Sequence, residues 1–277
     1  GYKMRDDTEL HFNSIYEYGE YCLSLGDKRP AGAGVTSEVE RSHSWTGGMT
    51  YSQALKMALY GGNWIEGARE LQSVDINEMV DRIAQVLEPT IVLAPAGGAV
   101  DIGEYLNNSP ECFYGFEQQE QPRPIVRMGV NINLKSDTTL DQSINFGRAV
   151  LAVITALEQQ GRSVELTVIH KSRSSGESKG FKMTLVLKQA GQAWDAASAA
   201  FALAHPAFSR RLGFRAIESD PNYWRLSKEG YGNGLGNEEG YDVFIPYNLE
   251  SGRSNTPQGA LDHVMEFVRT QAPELAR

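Results

Sequence analysis

The 277 residues, 41% hydrophobic and 22% charged, lie in the ordinary range for a globular protein with one large domain or two small ones. No run approaches the roughly 18 apolar residues of a membrane-spanning helix, and the opening GYKMRDDTELHF lacks the regions of a signal peptide, so neither anchor nor leader is expected. The formal net charge of -9 argues against a nucleic-acid partner at first sight, but local potential decides where a polyanion docks.

In chain order, DKRPAGAGVTSE is a loop by composition, and Thr50 N-caps a helix with Ala54, Leu55, Ala58 and Leu59 at helical spacing. Gly61-Gly62 stops it, Trp64 to Leu71 forms a second short helix, and Asp75 caps a third with Ile76, Met79, Val80, Ile83 and Leu87 as its apolar stripe. TIVLAP reads as a short strand and FEQQEQPRP as a linker. From Pro124 the pattern alternates: strand 125–134, helix 140–159 ending at Gly161, strand 164–170, the polar turn KSRSSGESKG, and strand 181–187 antiparallel to its predecessor. Helices over 193–204 and from Pro206 through Arg211 follow, then strand 241–246 and a closing helix 256–269 with Pro257 near N1. Two parts are expected: a mainly helical 1–120 and an α/β 121–277, the latter a three-layer sandwich with a mostly parallel sheet.

The order strand, long helix, strand, polar turn, strand, helices, strand, helix resembles a von Willebrand factor A-like domain. In that family an Asp-x-Ser-x-Ser loop after the first strand holds a divalent cation. Here the matching residues are Asn131, Asn133, Lys135 and Ser136, neutral amides beside a positive charge, which suit a hard cation poorly, so no metal or other cofactor is expected. The motifs Ser44-Trp45-Thr46-Gly47, Trp64-Ile65-Glu66-Gly67 and His205-Pro206 with Arg210-Arg211-Leu212 resemble bacteriophage proteins with a Trp-Thr-Gly motif ahead of an A-domain-like fold. That group includes the single-stranded-DNA-binding RNA polymerase cofactors of phages carrying a giant virion RNA polymerase. The resemblance implies single-stranded DNA and a phage RNA polymerase as partners in the host cytoplasm; it brings no binding residues with it.

Catalysis has little support. His11, His43, His170, His205 and His263 are scattered, without HExxH, GxSxG or paired cysteines, and a non-enzyme is expected. Cys22 and Cys112 read as separate reduced thiols. EGYGNGLGNEEGYD lacks the GK[ST] and following helix of a phosphate loop and reads as a surface loop. Trp45 and Trp64 are read as packing residues rather than stacking platforms.

Cations concentrate in two places. Lys171, Arg173, Lys179 and Lys182 surround the polar turn; Arg210, Arg211, Arg215, Arg225 and Lys228 follow, interleaved with Tyr223 and Trp224. Aromatics beside cations supply base stacking and phosphate contacts together. No helix-turn-helix, zinc finger or basic helix offers duplex readout, so single-strand binding is the expected form. The competing reading is a protein–protein adaptor with an A-domain-like face and no DNA affinity. Homo-oligomerization is open under both.

Overall fold

The computed structural model describes residues 8–26, 43–73, 76–88, 123–173, 180–193, 195–220, 238–246 and 252–276. Expectations for Asp75, Cys112, the TIVLAP strand and most of the FEQQEQPRP linker lie outside them.

One mixed sheet organises the α/β fold. Its strands are β1 (Thr8–Phe12), β2 (Ile125–Asn131), β3 (Ser163–Arg173), β4 (Gly180–Lys188) and β5 (Val243–Ile245), in the order β1-β4-β3-β2-β5. Pairings β1–β4, β2–β3 and β2–β5 are parallel, while β3–β4 is antiparallel, as the short connection between them requires. The helices are α1 (Ile15–Ser24), α2 (Tyr51–Leu59), α3 (Ile65–Gln72), α4 (Ile76–Ala84), α5 (Leu140–Gln159), α6 (Ala196–Ala204), α7 (Phe214–Glu218) and α8 (Pro257–Gln271). Between α6 and α7, Phe208–Gly213 winds as a π-helical segment.

Local chemistry sets the helix starts. Thr50 and Thr139 each accept from the N3 backbone N–H while Gln53 and Gln142 return the bond, two reciprocal capping boxes. The Asp195 carboxylate accepts from the N–H groups of Ala197 and Ser198; Thr256 caps α8, with Pro257 in its first turn. Along most of α5 every side is buried, the mark of an interior helix. It packs on β3 and is surrounded by α3, α4, α6 and α8.

The strands alternate inside and outside. Val126, Met128 and Val130 of β2, Val164, Leu166, Val168 and His170 of β3, and Phe181, Met183 and Leu185 of β4 share the apolar face. Phe12 meets Tyr18 of α1 at 5.0 Å, and His170 meets Ser209 and Phe214. Phe201 of α6 stacks edge-on against Phe208, and α6 lies along α5. These contacts chain the described helices together on one face of the sheet. The α/β class and the mostly parallel sheet are as expected, and among the described residues α3, α4, α6 and α8 pack around α5. On the opposite face Glu238 and Tyr241 lie over the sheet, and Asn131, Thr167, Ile169 and Phe244 are buried.

The N-terminal part is not all helical, because β1 joins the sheet beside β4. Elements from both sides of residue 120 share one core, with Tyr18, Met79 and Ile83 in the same cluster as Phe146, Phe208 and Val264. At the far margin, the Gln271 amide donates to Phe244 O at 2.7 Å and accepts from Phe244 N at 2.6 Å. Cys22 is buried in the core, where desolvation pushes its thiol up to about 12, an inert structural cysteine. No helix among the described residues is long and apolar enough to cross a membrane.

Candidate nucleic-acid interface

Three of the arginines expected at the interface are core residues: Arg210, Arg211 and Arg215 are 1%, 1% and 2% exposed. The segment AFALAHPAFSRRLGFRAIE is buried throughout, so its guanidiniums must find partners inside the protein. Arg210 donates to Trp45 O and Lys135 O, both at 2.7 Å, and to Thr138 O at 3.1 Å, with its guanidinium 4.5 Å from the Trp45 ring centroid. Arg211 Nε donates to Met49 O at 3.1 Å, and Arg215 to Leu25 O and Gly26 O at 2.9 and 3.1 Å. Arginine's fork of donors suits this work. The three fasten the α1–α2 region and the loop after β2 to the π-helical segment, and a buried clasp of this kind does not present itself to a phosphate.

That loop is where the A-domain resemblance placed a cation. Asn131 Oδ1 accepts from Asn133 N at 3.1 Å, Asn133 Nδ2 donates to Lys171 O at 2.8 Å, and Ser136 O accepts from Trp45 Nε1 at 2.9 Å. Two amides are occupied with backbone, and the Arg210 guanidinium already sits against the carbonyls of Lys135 and Thr138. A positive group fills the role of loop organiser, so these residues do not fit a divalent ion. Among the described residues no three His, Cys, Asp or Glu gather as a metal site. Trp45 and Trp64 both pack: Trp45 lies 5.8 Å from Phe214 between ring centroids, and Trp64 meets His205 edge-on at 4.5 Å. Gly47 is required beside them, since its φ is +64° and a Cβ would lie 2.7 Å from His205 Cε1.

The remaining described cations of the expected interface, Lys171, Arg173 and Lys182, lie on the polar face of the sheet. Lys171 and Lys182 stand directly opposite one another across β3 and β4. Glu238 lies between them, Oε1 at 2.7 Å from Lys171 Nζ and Oε2 at 3.2 Å from Lys182 Nζ, while Glu9 adds a contact to Lys182 at 3.4 Å. Burial works to raise the Glu238 pKa, but the two ammoniums outweigh it and hold the carboxyl below its ordinary range. Lys182 shows the converse: burial opposes its charge, and Glu238 and Glu9 raise its pKa nonetheless. Arg173 lies two residues along β3 from Lys171, its guanidinium drawn over Gly180. Arg127 is exposed on β2. The ring of Tyr241 lies over Gly129, where a Cβ would approach it to 3.0 Å, and the Asp242 carboxylate accepts from Arg127 N at 2.7 Å.

Of the sequence-derived set, then, Lys171, Arg173 and Lys182 share one face; Arg210, Arg211 and Arg215 are in the core; Lys179, Tyr223, Trp224, Arg225 and Lys228 lie outside the described residues. Sequence reading missed Arg127, Tyr241 and above all Glu238. Alternation in IVRMGVN marks Arg127 as outward-facing once the strand is recognised. Glu238 meets lysines 56 and 67 residues away, for which no local pattern exists.

In comparison with known proteins, the family model described as a domain of unknown function, DUF7192, matches residues 4–272. No curated protein and no solved structure matches the chain.

Proposed function

Since the chain belongs to the DUF7192 family over nearly its whole length, a family described without a role, its function rests on its own residues, and we propose that it binds single-stranded DNA across the polar face of the sheet without sequence preference. The observation that carries this reading is the cluster of Lys171, Arg173 and Lys182 at one end of a single face of β3 and β4 in a protein whose net charge is -9, with Arg127 on the same face opposite Glu165, six residues or about 20 Å along β3 from Lys171. Strand alternation places Lys171 and Arg173 on the same side, about 6.6 Å apart along the chain. Tyr241, half-buried on that face, offers a ring for stacking a base. A sheet face carrying cations and an aromatic ring can hold an unpaired strand, and no described element is shaped for the major groove.

The link to transcription, presentation of exposed template to a phage RNA polymerase in the host cytoplasm, is the second half of the proposal. The phage-protein resemblance and the β2–α5–β3 order shared with A-like domains support it. Fluorescence anisotropy with labelled oligo-dT and a matched duplex, at low and high salt, tests the first half. We expect preference for the single strand and a log–log salt slope of about -1.4 to -2, that of two or three phosphate contacts. Equal binding of both ligands, or binding of neither, sinks it. The retreat of three arginines into the core favours a second reading, a protein–protein adaptor; it predicts no oligonucleotide affinity and one specific protein partner.

A further inference from the structure

We infer that the Lys171–Lys182 pair is a binding site for a backbone phosphate of single-stranded nucleic acid, occupied in this state by the chain's own Glu238; the inference rests on the reading above and specifies its central contact. The two lysines are direct cross-strand neighbours on one face. Like charges so placed destabilise the strand pair, and an anion between them relieves the repulsion. Glu238 supplies it with a geometry a phosphate shares: two oxygens on one central atom, each meeting one ammonium, at 2.7 and 3.2 Å. Lysine binds phosphate as a point charge, so nothing in the pair is specific to carboxylate. Neither ammonium is sealed in the core: the Lys171 and Lys182 side chains are 16% and 24% exposed, and Glu238 is 14% exposed. A strand laid along the polar face would exchange one oxyanion for another at this position. Glu9, 63% exposed beside Lys182, would remain as a partial counter-charge. Binding by the native chain is thus weakened by its own carboxylate.

The test is oligo-dT binding by the full chain and by Glu238→Gln, followed by anisotropy across a salt series, with inorganic phosphate as a separate competitor. Glu238→Gln is expected to bind roughly 5- to 20-fold tighter, with a salt slope steeper by about 0.7 as one more phosphate contact forms. Adding Lys171→Gln and Lys182→Gln to that variant should abolish the gain. Glu238→Asp, which keeps the charge but retracts it by one methylene, should show a smaller gain and serves if the amide variant does not fold. Native binding with no gain in either variant overturns the inference and leaves the proposed function standing. Binding by neither native chain nor variants overturns the proposed function as well. Competition by inorganic phosphate as effective, per phosphate, as that by unlabelled oligo-dT would identify a free-anion site and overturn the nucleic-acid assignment.

Discussion

Arg210→Ala separates a structural clasp from a ligand contact. Truncation removes three part-buried bonds to backbone carbonyls, at 2.7, 2.7 and 3.1 Å, and a guanidinium 4.5 Å from the Trp45 centroid. A hydrogen bond involving a charged group contributes about 1.5–3 kcal/mol net, and because these three share one side chain the low end applies. The cation–π contact adds about 0.5–1 kcal/mol, and truncation returns up to about 2 kcal/mol of side-chain entropy. The balance is a loss of about 3–4 kcal/mol. Urea titration followed by circular dichroism should show the midpoint falling at an unchanged slope, and the melting temperature should drop by about 6–12 °C. Arg210→Lys should recover less than half, because one ammonium cannot span three divergent carbonyls. An arginine that served only to meet phosphate would behave oppositely, leaving stability within about 0.5 kcal/mol and flattening the salt dependence of DNA binding. A stability loss under about 1 kcal/mol would refute the placement of Arg210 in the core.

Gly47→Ala should cost more than about 1 kcal/mol, since its φ of +64° disfavours a side chain and His205 occupies the space; a thermal melt equal to that of the native chain would contradict this. Lys188, 3% exposed, pairs with Glu158 at 2.5 Å and donates to Val164 O, so Lys188→Met should lose about 2–3 kcal/mol. Glu158→Gln in the same chain should add little, and a double-mutant cycle that finds no coupling would count against the pair. His205 and His170 are held down at about 4 and about 3 by desolvation, both below the 6.5 of an exposed imidazole, so the unfolded chain takes up more protons between those values. Stability is then full above pH 6.5 and falls as pH drops toward 3. We expect at least about 2 kcal/mol lost between pH 6.5 and 5, and a flat urea midpoint over that range would exclude neutral buried imidazoles.

From β2 onward the fold was legible because each element carries its own periodicity: GRAVLAVITAL can only be interior, and Thr139, Thr256 and Pro257 mark helix starts by chemistry that acts within one turn. β1 was not legible. In TELHF only Leu10 and Phe12 turn inward, and its pairing with β4 spans some 170 residues. Lys171, Arg173 and Lys182 were picked out as cations around a turn, but Lys171 and Arg173 were placed in that turn, whereas β3 runs on to Arg173 and alternation puts both on one of its faces. The site was misread at Arg210, Arg211 and Arg215 because arginine was counted as surface charge by identity, although Phe208, Leu212, Phe214 and Ile217 around it already described a helix with no wet side. Glu238 shows the remaining limit: its stretch reads as a surface loop from its glycines, and nothing local announces that its carboxylate lies between Lys171 and Lys182.

The Gln271 amide gives β5 one donor and one acceptor where a neighbouring strand would otherwise supply them. A primary amide is chemically half a peptide link, so this single side chain spells one residue of a sixth strand without leaving any margin on which a seventh could start. An incoming strand at that border would have to displace the Gln271 amide from Phe244 before it could pair with β5.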